Sequence, residues 1–276
     1  MSVPHDFQIP PPPLTFWQGL RYSHDPRLVW FHFRQVRRAE RLIAHLADSE
    51  PGAVKEAMLE VYRDETFLRD LMGRHVAFTG RQPRGTDFMF LAYDAGSLYF
   101  HGVIQYALAR LMKPAVVVET GGTPGNSSAF LLRAMARNDH GELHTIDLPP
   151  AQPLSEHRAD GAWLHLGMPE GQGSGWAVPD YLRSRHHQHL GDARDLLPEV
   201  LESVGSADLF IHDSDHSFEH MTWEFTTAWP YILPGGTLLS DDVRANTAFV
   251  EFAAKQGLPP HWVCGLGALR KPERTP

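Results

Sequence analysis

The sequence is short of cysteine, with a single one, Cys264, in 276 residues. That excludes an internal disulfide framework and a cysteine-rich metal site, and it fits a reducing compartment. No stretch approaches the roughly 18 consecutive apolar residues of a membrane span. The opening MSVPHDFQIPPPPLTF lacks the basic-then-apolar order of a signal peptide. Cytoplasmic residence, with no membrane partner, is the expectation. Positive charge is also scarce. With 25 Lys and Arg against 33 Asp and Glu, the formal net charge is −8, so the concentrated positive field that a nucleic-acid or membrane-surface partner needs is missing. The basic stretch FRQVRRAERL (Phe33 to Leu42) is local and reads as the solvated face of a helix. No internal repeat appears, and low complexity is confined to the prolines Pro10 to Pro13. What is abundant is apolar character, 42% of residues, enough to bury a sizeable core in one large domain or a domain with an appendage.

The first hundred residues differ in texture from the rest. After the extended proline lead, helical spacing runs through RLVWFHFRQVRRAERLIAHLA and PGAVKEAMLEVYRDETFLRDLMG, pauses at the polar TGRQPRGTDF and resumes in HGVIQYALARLM. From Pro114 onward short apolar runs (AVVVE, LHTID, HQHLGD, DLFIHD, TLLSD) alternate with SSAFLLRAMARN, VPDYLRSR, ARDLLPEVLESV and SFEHMTWEFTTAWPYI. This βαβα order predicts an α/β fold, a parallel sheet with helices on both faces. In the last of these helices Phe218, Met221, Phe225, Ala228, Trp229 and Ile232 form one stripe behind Ser217 as N-cap, and LPGG (Leu233 to Gly236) ends it before the next strand. The domain expectation is residues 1–100 as a helical extension or lid and 101–276 as the ligand-binding domain. Phe16, Trp17, Tyr22 and Trp30 suggest an aromatic-lined cover.

Each apolar run finishes on a carboxylate: Glu119, Asp147, Asp192, Asp213 and Asp241, the last followed by Asp242. In a parallel sheet these ends share one edge, where open α/β folds bind ligands. The alternative, that each acid simply ends a strand and caps the next helix, stays open. Between the first strand and its helix lies GGTPGNSS, a turn poor in side chains. Gly121, Gly122 and Gly125 let backbone approach a ligand, and Ser127 and Ser128 open a helix whose unpaired N–H groups favour a negative group. HHQH (His186 to His189) has the look of a metal cluster. Alternation along a strand points neighbouring residues to opposite faces, so it reads as strand.

The stretches VVVETGGTPGNSS, LHTIDLP, HLGDARDLLP and DLFIHDSDHSFEHMTWEFTTAWPYILPGGTLLSDDV, within about Ala115 to Val243, resemble the class I S-adenosylmethionine-dependent methyltransferases. The likeness is to a bacterial small-molecule group related to the Mg-dependent catechol-type O-methyltransferases. The resemblance implies a Rossmann-like methyltransferase fold with S-adenosylmethionine as cofactor. It places Glu119, Gly121, Gly122, Gly125, Ser127 and Ser128 around the methionine end, Asp147 on the ribose hydroxyls, and Asp192 with Ala193 beside the adenine. Asp213 would border both cofactor and reacting centre. Asp213, Asp241 and Asp242 correspond to the family's metal ligands and imply a divalent ion, Mg. The third is often an amide in catechol-type enzymes, and here Asp242 is a carboxylate, which adds negative charge.

His216, three residues after Asp213, stands where those relatives place a lysine general base, and an imidazole titrating near neutrality suits that task. The implied activity is O-methylation of a small-molecule hydroxyl (sugar, phenol or other natural product), with the N-terminal helices closing the cleft or making a homodimer contact. Metal-independent N- or O-methylation and a non-catalytic cofactor-binding protein remain as alternatives. A nicotinamide-dependent oxidoreductase shares the strand–turn–helix, but G-x-G-x-x-G is not met by GGTPGNSS.

Overall fold

The computed structural model describes residues 16–21, 25–79, 96–149 and 172–273. The proline lead, Tyr22 and residues 80–88 of the polar stretch lie outside them, and nothing is described of the Phe16 side chain. The N-terminal half is helical: α1 (Phe16–Gly19), α2 (Pro26–Ala47), α3 (Pro51–Tyr62), α4 (Glu65–Thr79) and α5 (Gly96–Met112). Helix α2 starts where Asp25 accepts a hydrogen bond from the Arg27 amide at 2.8 Å with Pro26 in the first turn. It buries Val29, Ala39, Leu42, Ile43 and Leu46 while Arg34, Arg37 and Arg41 stay exposed, so the basic stretch is a solvated face.

The stretch from Pro51 to Gly73 is two helices rather than one. The break falls at Asp64, whose Oδ1 accepts from the Phe67 amide at 3.2 Å and so starts α4. Its Oδ2 receives Arg133 Nε and Arg137 Nη2, each at 2.7 Å, from the helix that follows the first strand. Alongside, Arg110 of α5 donates to Glu60 of α3 at 2.8 Å, and Phe67 meets the edge of Phe130 at 5.2 Å. Residues of α2 to α5 share one hydrophobic core with the sheet, including Ile43, Met58, Phe67, Tyr106, Phe130 and Leu209.

The sheet comprises β1 (Val116–Thr120), β2 (Glu142–Asp147), β3 (His186–Leu190), β4 (Ala207–His212), β5 (Ile232–Ser240), β6 (His261–Val263) and β7 (Leu266–Arg270), in the order β3-β2-β1-β4-β5-β7-β6. β1 to β5 are parallel, and β7 runs antiparallel to both β5 and β6. Helices α6 (Asn126–Asn138), α7 (Ala193–Val204), α8 (Phe218–Ala228) and α9 (Ala248–Lys255) complete it. Side chains alternate between the faces. Val117, Leu209, Ile211 and Leu239 join the core shared with the N-terminal helices; Val118, Phe210 and Leu238 join a second core with α7, α8 and α9. Among the described residues no helix is long and apolar enough to cross a membrane.

Local boundaries differ from expectation in four places. VPDYLRSR forms a 3₁₀ turn, Asp180–Arg185, and α8 ends at Ala228, followed by the 3₁₀ turn Trp229–Tyr231 around Pro230. β5 begins at Ile232, so Leu233 to Gly236 lie within the strand rather than before it, and Phe218 is 36% exposed at the start of α8. The β6–β7 hairpin adds two strands. Ser217 caps α8 as expected, accepting from the His220 amide at 3.3 Å.

Asp64 is where helix start, helix break and inter-element ion pairs meet. Burial alone pushes its carboxyl up, and the hydrogen bonds from Arg137, Arg133 and the Phe67 amide outweigh this, holding it below its ordinary value. Asp64→Ala removes a cap and strands two guanidinium groups, and we expect it to lower the unfolding free energy by about 3 kcal/mol in urea denaturation. A loss under about 0.5 kcal/mol, the scale of an ordinary surface change, would contradict this role.

Candidate active site

The strand order reverses between β1 and β4, because β1 leads outward to β2 and β3 on one side and β4 to β5 on the other. The crevice above that point is where an open α/β sheet binds ligands. Two ladder hydrogen bonds run past the strands into it: Gly121 N donates to Ile146 O at 2.8 Å and Asp213 N to Thr120 O at 2.9 Å. Gly121 has φ +85°, and a Cβ there would lie 1.9 Å from the Asp213 carbonyl oxygen, so only glycine lets the β1 turn cross so close to the β4 end. Gly125, φ +102°, is the N-cap of α6 and offers no side-chain cap to the first-turn amides. Those N–H groups and the helix dipole favour an anionic group. Gly122 lies beside Ser174 and Asp147, a Cβ there falling 3.7 Å from Asp147 Oδ2.

Glu119 is fully buried at the end of β1. Both its oxygens are held by the helix that follows: Ser127 Oγ donates to Oε1, and Ser128 Oγ donates to Oε2 at 2.5 Å. The serine hydroxyls thus bind this carboxylate in the structure, tying the last residues of the strand to the first turn of α6. Burial pushes the Glu119 carboxyl up to about 7, against the lowering effect of the two hydroxyls and reinforced by the charge of Asp147.

Asp147, ending β2, faces the same turn. Its Oδ2 accepts from Thr123 Oγ1 and Ser174 Oγ, both at 2.6 Å, and its Oδ1 accepts from the Leu148 amide at 2.8 Å. Three of the roughly four lone-pair positions of a carboxylate are in use. Asp192 caps α7, accepting from the Arg194 amide at 2.8 Å, with Ala193 as the first helical residue. The Gly191 amide joins this segment to the Asp147 carbonyl at 2.9 Å. For Asp192 the capping alternative is therefore realised in the structure.

The acids beyond β4 and β5 form a crowded negative patch. Burial first, then the charges of Asp241, Glu119, Asp242 and Asp147, raise the Asp213 carboxyl well above the usual range. His216 Nε2 lies 3.8 Å from Asp213 Oδ1. Asp242 takes a left-handed backbone, φ +46°. Asp213, Asp241 and Asp242 are not a group whose ligand atoms all lie within 4.8 Å of one another; among the described residues that condition is met by Glu142, His144 and His187.

Two partners of this patch escaped the sequence reading. His101 of α5, 6% exposed, stands between Asp241 Oδ1 (3.1 Å from Nδ1) and the Cys264 carbonyl (3.0 Å from Nε2). With an acceptor at each nitrogen the doubly protonated ring is favoured; burial lowers its pKa, and Asp241 more than reverses this. The second is Glu224 of α8, fully buried. It accepts from Thr120 Oγ1 (2.5 Å) and Ser214 Oγ (2.7 Å) and pairs with His212 Nδ1 (2.6 Å) and His220 Nε2 (2.8 Å). Burial pushes Glu224 up, but His212 and His220 hold it far below its ordinary value. The residues on either side of Asp213 are thereby anchored to one carboxylate. Spacing gives no signal for either partner, since both come from helix faces that meet the strand ends only in three dimensions. Of the expected aromatic cover, Trp17 and Trp30 are 77% and 58% exposed.

The Glu119 latch has a consequence for stability. Because its folded pKa is raised above the unfolded value, the folded state holds its proton in a window where the unfolded chain has lost it, and stability falls as pH rises from about 4.5 to about 7. Glu119→Gln removes that dependence. Urea unfolding of both proteins at pH 5 and pH 8 should show the wild type losing more stability than the variant between the two; equal losses would show that Glu119 is ionised without penalty.

A family profile described as a methyltransferase domain matches residues 118–243. No curated protein matches the chain. Among solved structures, a Podospora anserina methyltransferase bound to SAH is 14% identical, over 74% of this chain and 88% of that one, with a TM-score of 0.49. The calicheamicin methyltransferase CalS11 is 15% identical, over 75% and 93%, also at 0.49. MycE, a methyltransferase of the mycinamycin biosynthetic pathway solved with Mg and SAH, is 15% identical over 63% and 49%, at 0.41. The matched segment takes in every carboxylate of the rim from Glu119 to Asp242, and it is this segment of the chain that is similar to a methyltransferase domain.

Proposed function

We propose that the methyl acceptor is a hydroxyl of a small molecule, a sugar, a phenol or another natural-product alcohol, and that a divalent ion, Mg, assists the transfer. The observation that carries this reading is Asp213: a half-buried carboxylate at the switch point, with four other acids near it and an imidazole 3.8 Å away. Hard oxygen donors and surplus negative charge fit such an ion, and Asp213, Asp241 and Asp242 would hold it. When bound, S-adenosylmethionine supplies a methyl on a sulfonium sulfur, and the ion supplies Lewis acidity to the acceptor hydroxyl.

The chain's own residues position and deprotonate. The first turn of α6 and the Gly121 to Gly125 backbone receive the anionic end of the amino-acid portion. Asp147 takes the ribose hydroxyls, exchanging hydrogen bonds with Thr123 and Ser174, while Asp192 and Ala193 border the adenine. His216 accepts the acceptor's proton, and Glu224 fixes the segment bearing Asp213 and His216 through His212 and Ser214. The helices α1 to α5 provide the acceptor side of the cleft.

A second reading, metal-independent methyl transfer, is favoured by His101. Its imidazolium already places a positive charge on Asp241, which supplies part of what a cation would.

Chelation separates the two. On the metal-assisted reading, exhaustive chelation stops turnover, leaves S-adenosylmethionine affinity unchanged within a few-fold, and is reversed by Mg²⁺. Turnover that survives chelation selects the second reading. His216→Ala should lower kcat on an alkyl alcohol by roughly 10²- to 10⁴-fold and flatten the acid limb of the pH–rate profile. An unchanged rate and profile would remove His216 from the reaction.

A further inference from the structure

We propose that Glu142, His144 and His187 form a transition-metal site, for zinc, that staples the edge strand β3 to β2 at the far end of the sheet from the cleft. Strand alternation separates His186 from His187 within HHQH, but the neighbouring strand completes the set. In the parallel register His144 pairs with His187 and Ile146 with His189. Glu142, His144, His187 and His189 therefore share a face, while His186 and Gln188 turn to the other and bond Thr145 Oγ1 at 2.9 Å and the Ser174 carbonyl at 2.9 Å.

The distances suit a metal. His144 Nε2 lies 3.2 Å from Glu142 Oε1 and His187 Nε2 lies 3.3 Å from Glu142 Oε2. Donors at zinc's usual bond lengths sit about 3.3 Å apart along the edges of a tetrahedron. The ligand atoms of all three residues lie within 4.8 Å of one another. The His144 and His187 rings stack at 4.7 Å and 20°, and His144 and His189 at 5.5 Å and 12°. Two neutral imidazoles and a carboxylate with a fourth position left to water form an open zinc shell, whereas Mg²⁺ prefers oxygen donors.

A second shell is present too. His144 Nδ1 lies 3.2 Å from His189 Nε2, so a Nδ1–H donated to His189 leaves the Nε2 lone pair directed toward Glu142, the tautomer a metal ligand needs. Access is open, since the side chains of His187 and Glu142 are 48% and 45% exposed while that of His144 is 12% exposed. Glu142 and Asp147 are the first and last residues of β2, which at about 3.3 Å per residue puts the site roughly 16 Å from Asp147.

The test is calorimetric titration of Zn²⁺ into the untagged full chain in excess Mg²⁺. One tight equivalent per chain is expected. His187→Ala, on an exposed edge position that the fold tolerates, should weaken it by at least about 100-fold, and His189→Ala by about 10- to 100-fold. Asp241→Asn, in the cleft, should leave it unchanged, with circular dichroism confirming that each variant is folded. Absence of a tight equivalent in the wild type, full affinity in His187→Ala, or loss of the equivalent in Asp241→Asn would each overturn the proposal.

Discussion

A carboxylate without solvent contact stands at the end of β1, beside the point where the strand order reverses, and the cleft is arranged around how it is satisfied. Glu119 is held by two hydroxyls from the first turn of its own crossover helix. This fixes where α6 begins relative to β1, and hence where the uncapped amides of its first turn point. An unsatisfied buried carboxylate is costly enough that the neighbouring turn must follow it. The turn then crosses the end of β4 so closely that Gly121 admits no side chain. One buried acid thus sets strand end, turn path and helix start, the three features proposed to receive the cofactor.

The same logic recurs twice around the rim. Glu224 gathers Thr120, His212, Ser214 and His220, and so ties the β1 and β4 ends to α8. Asp64 does so for the N-terminal helices, linking α4 to Arg133 and Arg137 of α6. The helices expected to cover the cleft are joined through those pairs to α6, whose uncapped first turn opens on the cleft. Charged groups buried in this way are not chiefly a source of stability; they define which elements meet. The exposed part of the rim, Asp213 with Asp241 and Asp242, is the opposite case. Repulsion there is left in place, apart from His101 on Asp241, and that residual negative charge is available for chemistry.

Much of this was legible in order. Short apolar runs such as AVVV and LFI, each leading to an acid, read as parallel strands because burial on both faces removes polar alternation. Gly, Ser and Asp after them marked the turns and caps, and Asp192 and Ser217 took the capping positions that their residue types favour. The β6–β7 hairpin was not legible, since HWVCGLGALR is short and its glycines break the period. The break at Asp64 was hidden because helical spacing continues across it, and only the distant Arg133 and Arg137 make the bend favourable. His101 and Glu224 belong to helices whose own periodicity says core. HHQH was legible as a strand but not as part of a cluster, because the residues that complete it sit in register on β2, and one strand's alternation carries no information about its neighbour.

The account rests on the cleft holding S-adenosylmethionine with its ribose on Asp147. Calorimetric titration of S-adenosylhomocysteine into the wild type and Asp147→Ala tests this most directly. The account predicts one equivalent bound by the wild type and an affinity lower by about 100-fold in the variant, the scale of losing two charge-assisted hydrogen bonds less their exchange with Thr123 and Ser174. Equal affinity in a folded variant would contradict it.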